Sequence, residues 1–112
     1  MKAEEFVSAI QNYVLESAVD STISNLEHPA GRRVPPDVSA RSEWFNSLPD
    51  VEAEMLRAVA RDAARSAVFG FLAVLDGVRV IDSEKGSFEL YYVGRERCLV
   101  SPSDIDLHDL LD

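Results

Sequence analysis

From Pro49 to the Asp76-Gly77 pair the chain runs with a single glycine, Gly70, and no further proline, and this stretch constrains the fold more than any other. Pro49 suits the first turn of a helix, where its missing N–H goes unused, and Gly77 suits the left-handed position that closes one. One long helix ending at Leu75 is predicted. In its first half Asp50, Glu54, Arg57, Arg61 and Arg65 share a polar arc, opposite Met55, Leu56, Val59, Ala60 and Ala63. In its second half Val68, Phe69, Phe71, Leu72, Val74 and Leu75 leave no polar side, so this half is expected at the buried centre. Ala63, Ala67 and Gly70 lie one above another, a row of small side chains that predicts a close helix crossing. Such a contact would explain why a glycine, which costs about 1 kcal/mol relative to alanine inside a helix, stands there.

Residues 3–27 contain neither Gly nor Pro and also read as helix. Phe6, Ile10, Tyr13 and Val14 make one apolar stripe, while Leu15, Val19, Ile23 and Leu26 make a second about half a turn away. A single long helix whose halves meet different partners is the expected solution. Pro29, Gly31, Pro35 and Pro36 predict an extended connection over 28–38, followed by a short helix over 39–48 that presents Trp44, Phe45 and Leu48, with Ser39 as N-cap. Beyond Gly77, strands are predicted at 78–82, 88–93 and 97–100 from the alternation of residues such as Phe88, Leu90 and Tyr92 with Glu89 and Tyr91. Ser101-Pro102-Ser103-Asp104 then reads as the start of a last short helix anchored by Ile105, Leu110 and Leu111. The expected fold is α+β: three N-terminal helices, a three-stranded antiparallel meander and a short C-terminal helix.

With 112 residues, 46% of them apolar and 28% charged, the chain has the make-up of an ordinary globular protein, expected to form one domain over 1–112. The lone Cys98 cannot form an internal disulfide, and Lys2, Ala3, Glu4 and Glu5 do not begin a signal peptide. A cytoplasmic protein is expected. The longest mostly apolar stretch, 67–75, is too short to span a bilayer.

The net charge is -9, which disfavours nucleic acid and anionic membrane surfaces alike. The acidity is blocked rather than even. Residues 1–30, 42–56 and 98–112 each sum to -4, with Glu43, Asp50, Glu52 and Glu54 in the second block and Asp104, Asp106, Asp109 and Asp112 in the third. Such blocks suit a basic protein partner.

No constellation for catalysis is read from the sequence, and no cofactor is implied. Cys98 lies in a predicted strand, where a thiol is usually inert, and His28 and His108 read as surface residues. There is no zinc-ligand spacing. Asp104, Asp106, His108 and Asp109 form a loose oxygen-rich cluster, but the sixth place of a calcium loop, which requires glycine, is taken by Asp109. Asp82, Glu84, Lys85 and Glu89 resemble the carboxylates of metal-dependent nucleases only until position 91, where Tyr91 stands instead of lysine. Arg57, Arg61 and Arg65 read as a face paired within the chain or solvated. Trp44-Phe45 and Tyr91-Tyr92 each turn one ring away from the other, towards solvent or a second buried layer.

The expected function is therefore a small acidic interaction module binding a basic macromolecular partner, in the manner of an immunity protein, antitoxin or inhibitor. The expected binding residues are Asp104, Asp106 and Asp109, with Trp44 beside Glu43, Asp50, Glu52 and Glu54. Two alternatives remain: a structural or regulatory homo-oligomer, in the simplest case a homodimer, and a carboxylate- or metal-dependent enzyme.

Overall fold

The computed structural model describes residues 1–112. In chain order it has α1 (Ala3–Ile10), a π-helical segment (Gln11–Glu16), α2 (Ser17–Glu27), α3 (Pro36–Asn46), α4 (Asp50–Leu75), β1 (Leu90–Val93), β2 (Arg97–Ser101) and a 3-10 turn (Leu107–Leu110). The class is α+β. No helix is long and apolar enough to cross a membrane.

The π segment joins α1 and α2 into one rod and answers the problem of the offset stripes. The buried residues along it are Ala3, Val7, Leu15, Val19 and Ile23. In an uninterrupted α-helix Val7 and Leu15, eight residues apart, would point about 80° away from each other. Wider turns take up that drift, so both face the same core. The first stripe is thereby corrected: Phe6 and Ile10 are half-buried, while Tyr13 and Val14 face solvent.

The short helix starts three residues earlier than Ser39, with Pro35 as N-cap and Pro36 at N1, a position proline fits without losing a hydrogen bond. Its Phe45 and Ser42 are buried against α2, and Asn46 Nδ2 donates to the Glu27 carbonyl at 3.1 Å. Trp44 is half-exposed, which settles that pair in favour of one ring in and one ring out. Tyr91 and Tyr92, by contrast, both reach solvent.

The bounds of α4 agree with the sequence reading, and its end is a Schellman closure. Val78 N–H donates to the Ala73 carbonyl at 3.0 Å, Gly77 N–H donates to Val74 at 3.1 Å, and Gly77 has φ of 79°. The same closure explains why the meander is not formed. Val78 and Arg79 both donate their N–H to Ala73, so the segment expected as the first strand is tied to the helix end instead of a sheet. What remains is a two-stranded antiparallel hairpin, β1 with β2, with an irregular register between Leu90 and Tyr91.

The helix crossing expected at Ala63, Ala67 and Gly70 is absent as well. Ala63 and Ala67 are exposed, and a Cβ at Gly70 would meet the Arg79 guanidinium at 2.5 Å, the far end of a flexible side chain. In the first half of α4 the ridge turned inward is Leu56, Ala60 and Ala64, leaving Met55 and Val59 exposed. The apolar second half is buried through Leu72 and Ala73, yet Phe71 remains exposed.

The main core joins Ala3, Val7, Leu15 and Val19 of the first rod to Leu72 of α4, Val100 of β2, and Leu107 and Leu111 of the C-terminal segment. Along the same seam the arginines of α4 pair with the rod in antiparallel order, Arg57 with Asp20 and Arg61 with Glu16. At the next step Arg65 Nε donates to the Asp112 carbonyl at 2.9 Å. The arginine stripe is thus paired within the chain. These pairs are solvent-exposed and orient the helices more than they stabilise them.

Candidate functional site

The last segment does not form the helix expected from Ser101 onward. It is an extended stretch followed by the 3-10 turn, and the reason lies outside it. The N–H groups that open the turn are capped by Asp76, the C-cap residue of α4: Oδ1 accepts from Leu107 N–H and Oδ2 from His108 N–H, both at 2.9 Å. His108 Nδ1 lies 2.6 Å from the same Oδ2. The Asp76 side chain is 2% exposed and that of His108 13% exposed, so His108 is not the surface residue expected. Phe69 packs edge-on against the imidazole at 5.3 Å between centroids. Leu107 is fully buried, whereas Ile105, expected as an anchor, is half-exposed.

Asp76, Asp106 and His108 bring potential metal-ligand atoms within 4.8 Å of one another. Both Asp76 oxygens already accept hydrogen bonds, and a cation there would displace donors that hold the turn. The arrangement serves as a lock between α4 and the C-terminal segment. The hydrogen bond to Asp76 raises the His108 pKa above its ordinary 6.5, desolvation opposes this, and the Asp109 carboxylate beside Nε2 adds to it. The folded state therefore favours the imidazolium. Its contribution to stability is complete below pH 6.5 and is lost as pH rises through the raised folded value. His108→Gln is expected to lose more stability relative to wild type at about pH 5.5 than at about pH 8.5. Denaturant melts at the two pH values measure this; a deficit that grows with pH would contradict it.

The acidic residues proposed for binding fall into separate places. Asp104 lines an open groove of about 660 Å³ between the first turn of α1, β2 and the segment after it. There it is joined by Glu4 and Glu5, around a floor that includes Leu99, Val100 and Ile105. Leu99 and Ile105 are each a little under half exposed. Lys2 and the half-buried Cys98 also line the groove. Asp106 and Asp109 are exposed beside the lock. Asp50 and Glu54 meet Glu27, Phe45 and Arg57 in a second cleft of about 440 Å³. Trp44 is not among them: it sits with Leu26, Val38, Arg41 and Leu56 in a third. Glu43 and Glu52 are exposed and line neither of these two clefts.

Sequence reasoning missed Asp76 and the meeting of Glu4 and Glu5 with Asp104. A signal for Asp76 did exist, since a carboxylate at the C-terminal end of a helix faces the negative end of the dipole and needs donors from elsewhere. Nothing local marks the second. Of the carboxylates considered for metal chemistry, Asp82 Oδ1 accepts the Glu84 N–H at 3.3 Å, a local turn, and Glu89 lies 3.4 Å from the Tyr91 hydroxyl. No family model, no curated protein and no solved structure matches this chain.

Proposed function

We propose that the chain is a small acidic interaction module, of the immunity-protein, antitoxin or inhibitor type, that binds a basic protein partner. The observation that carries this reading is that Glu4 and Glu5 line one open groove with Asp104, about a hundred residues away in sequence, beside the apolar Leu99, Val100 and Ile105, with Lys2 the one basic side chain among them. An apolar centre with a charged rim is the usual anatomy of a protein interface. Lysine and arginine fit such a groove, since their stems cover Leu99 and Ile105 while their charged heads reach the carboxylates. Asp106 and Asp109 extend the same negative field along the C-terminal segment and favour encounter with a cation.

Affinity capture from the source organism tests this, with wild type and the variant carrying Glu4→Gln, Glu5→Gln and Asp104→Asn side by side. A basic protein retained by wild type at low salt and lost from the variant is the expected result. Retention by both, or no basic protein on either, removes the groove from the reading.

A further inference from the structure

A second surface has the opposite electrostatic character. Between the first rod and the second half of α4 runs a groove of about 360 Å³, lined by Phe6, Ile10 and Val14 on one side and Ala67, Val68 and Phe71 on the other, above Leu72. Every lining residue is apolar. Phe71 is 63% exposed and Val14 48%, and Tyr13, next in the rod, is 81% exposed. Along α4 the apolar surface continues at four-residue spacing through Ala63 and Val59 to Met55, a ridge of the kind that packs into the groove of another helix. The small residues Ala63 and Ala67, both exposed, stand in that ridge.

We propose that a second copy of this chain docks on this groove. Charge selects the occupant. In a chain of net charge -9, residues 6–15 carry no charged side chain and neither do residues 66–75. A basic partner finds no carboxylate within the lining, whereas two like-charged copies meet where their mutual repulsion is least. Area agrees. The chain exposes 8301 Å², against about 6,100 Å² for a folded monomer of its mass, an excess of about 2,200 Å². Its radius of gyration is 18.2 Å, where a compact chain of this length has about 13 Å. A stable interface takes about 800 Å² from each partner, and this excess, which also includes the exposed segment 77–89, leaves room for one. A two-fold axis through the groove presents the same patch from both copies and closes the assembly at two.

The oligomer mass decides the matter, measured by sedimentation equilibrium from about 5 to about 500 µM, since association follows mass action. Wild type is expected at twice the chain mass of 12.4 kDa at the upper end. Phe71→Arg and Val14→Arg, each on an exposed side chain, are expected at the single-chain mass with the helical circular dichroism unchanged. Should Phe71→Arg fail to fold, Val14→Arg and wild type carry the test. The variant neutralised at Glu4, Glu5 and Asp104 is expected to stay at the double mass, which separates this inference from the basic-partner reading. A wild-type monomer at the highest concentration overturns the proposal. So does a double mass that survives both arginine substitutions, or one lost only in the neutralised variant.

Discussion

Asp76→Ala is expected to lower stability by about 3 kcal/mol, equivalent to a fall of roughly 15 °C in melting temperature for a chain of this size. Asp76 accepts from Leu107 N–H, His108 N–H and the His108 ring, and it is almost wholly withdrawn from water. Truncation leaves two part-buried backbone donors without a partner, and each such donor costs about 1–3 kcal/mol. Relief of the unfavourable carboxylate at the end of α4 offsets only part of this. Asp76→Asn keeps one acceptor oxygen and should fall between the two. Thermal or urea melts check the order wild type, Asn, Ala. An alanine variant that melts with wild type would mean that Leu107 and Leu111 hold the C-terminal segment by packing alone.

The same residue shows where the sequence was readable and where it was not. The bounds of α4 follow from signals next to them, Pro49 at the start and Gly77 at the end, and the structure has them there. That residues 3–27 are helical was legible too, but as α1, a π segment and α2 rather than one α-helix, and the offset stripes misled: the π segment keeps Val7 and Leu15 on one core, and Tyr13 and Val14 of the first stripe face solvent. Periodicity failed where backbone donors were already engaged. Val78 to Asp82 has the β-branched residues of a strand, yet two of its N–H groups close α4, and the hairpin was left with two strands. At the other end, Ser101-Pro102-Ser103-Asp104 has the chemistry of a helix start, while the donors that needed a cap lay further on and found Asp76 thirty-one residues upstream. Long-range pairings of this kind, and the shared groove of Glu4, Glu5 and Asp104, leave no trace in local spacing. The acidic blocks themselves were legible; which of them share a face was not.

Neutralising the groove with Glu4→Gln, Glu5→Gln and Asp104→Asn is expected to slow association with the basic partner about tenfold or more at low ionic strength. The fold should be unaffected, because all three side chains are exposed and none takes part in the lock or the arginine pairs. Their effect is on encounter, where the negative field draws a cationic surface in, and screening removes that advantage over a distance of about 10 Å at 0.1 M salt. Dissociation, governed by contacts on Leu99 and Ile105, should change less. The decisive measurement is the association rate of the captured partner with wild type and with the neutralised variant, at low and at high ionic strength. The account predicts a steep fall with salt for wild type and a slower, flatter dependence for the variant, the two converging at high salt. Equal rates with equal salt slopes would contradict it.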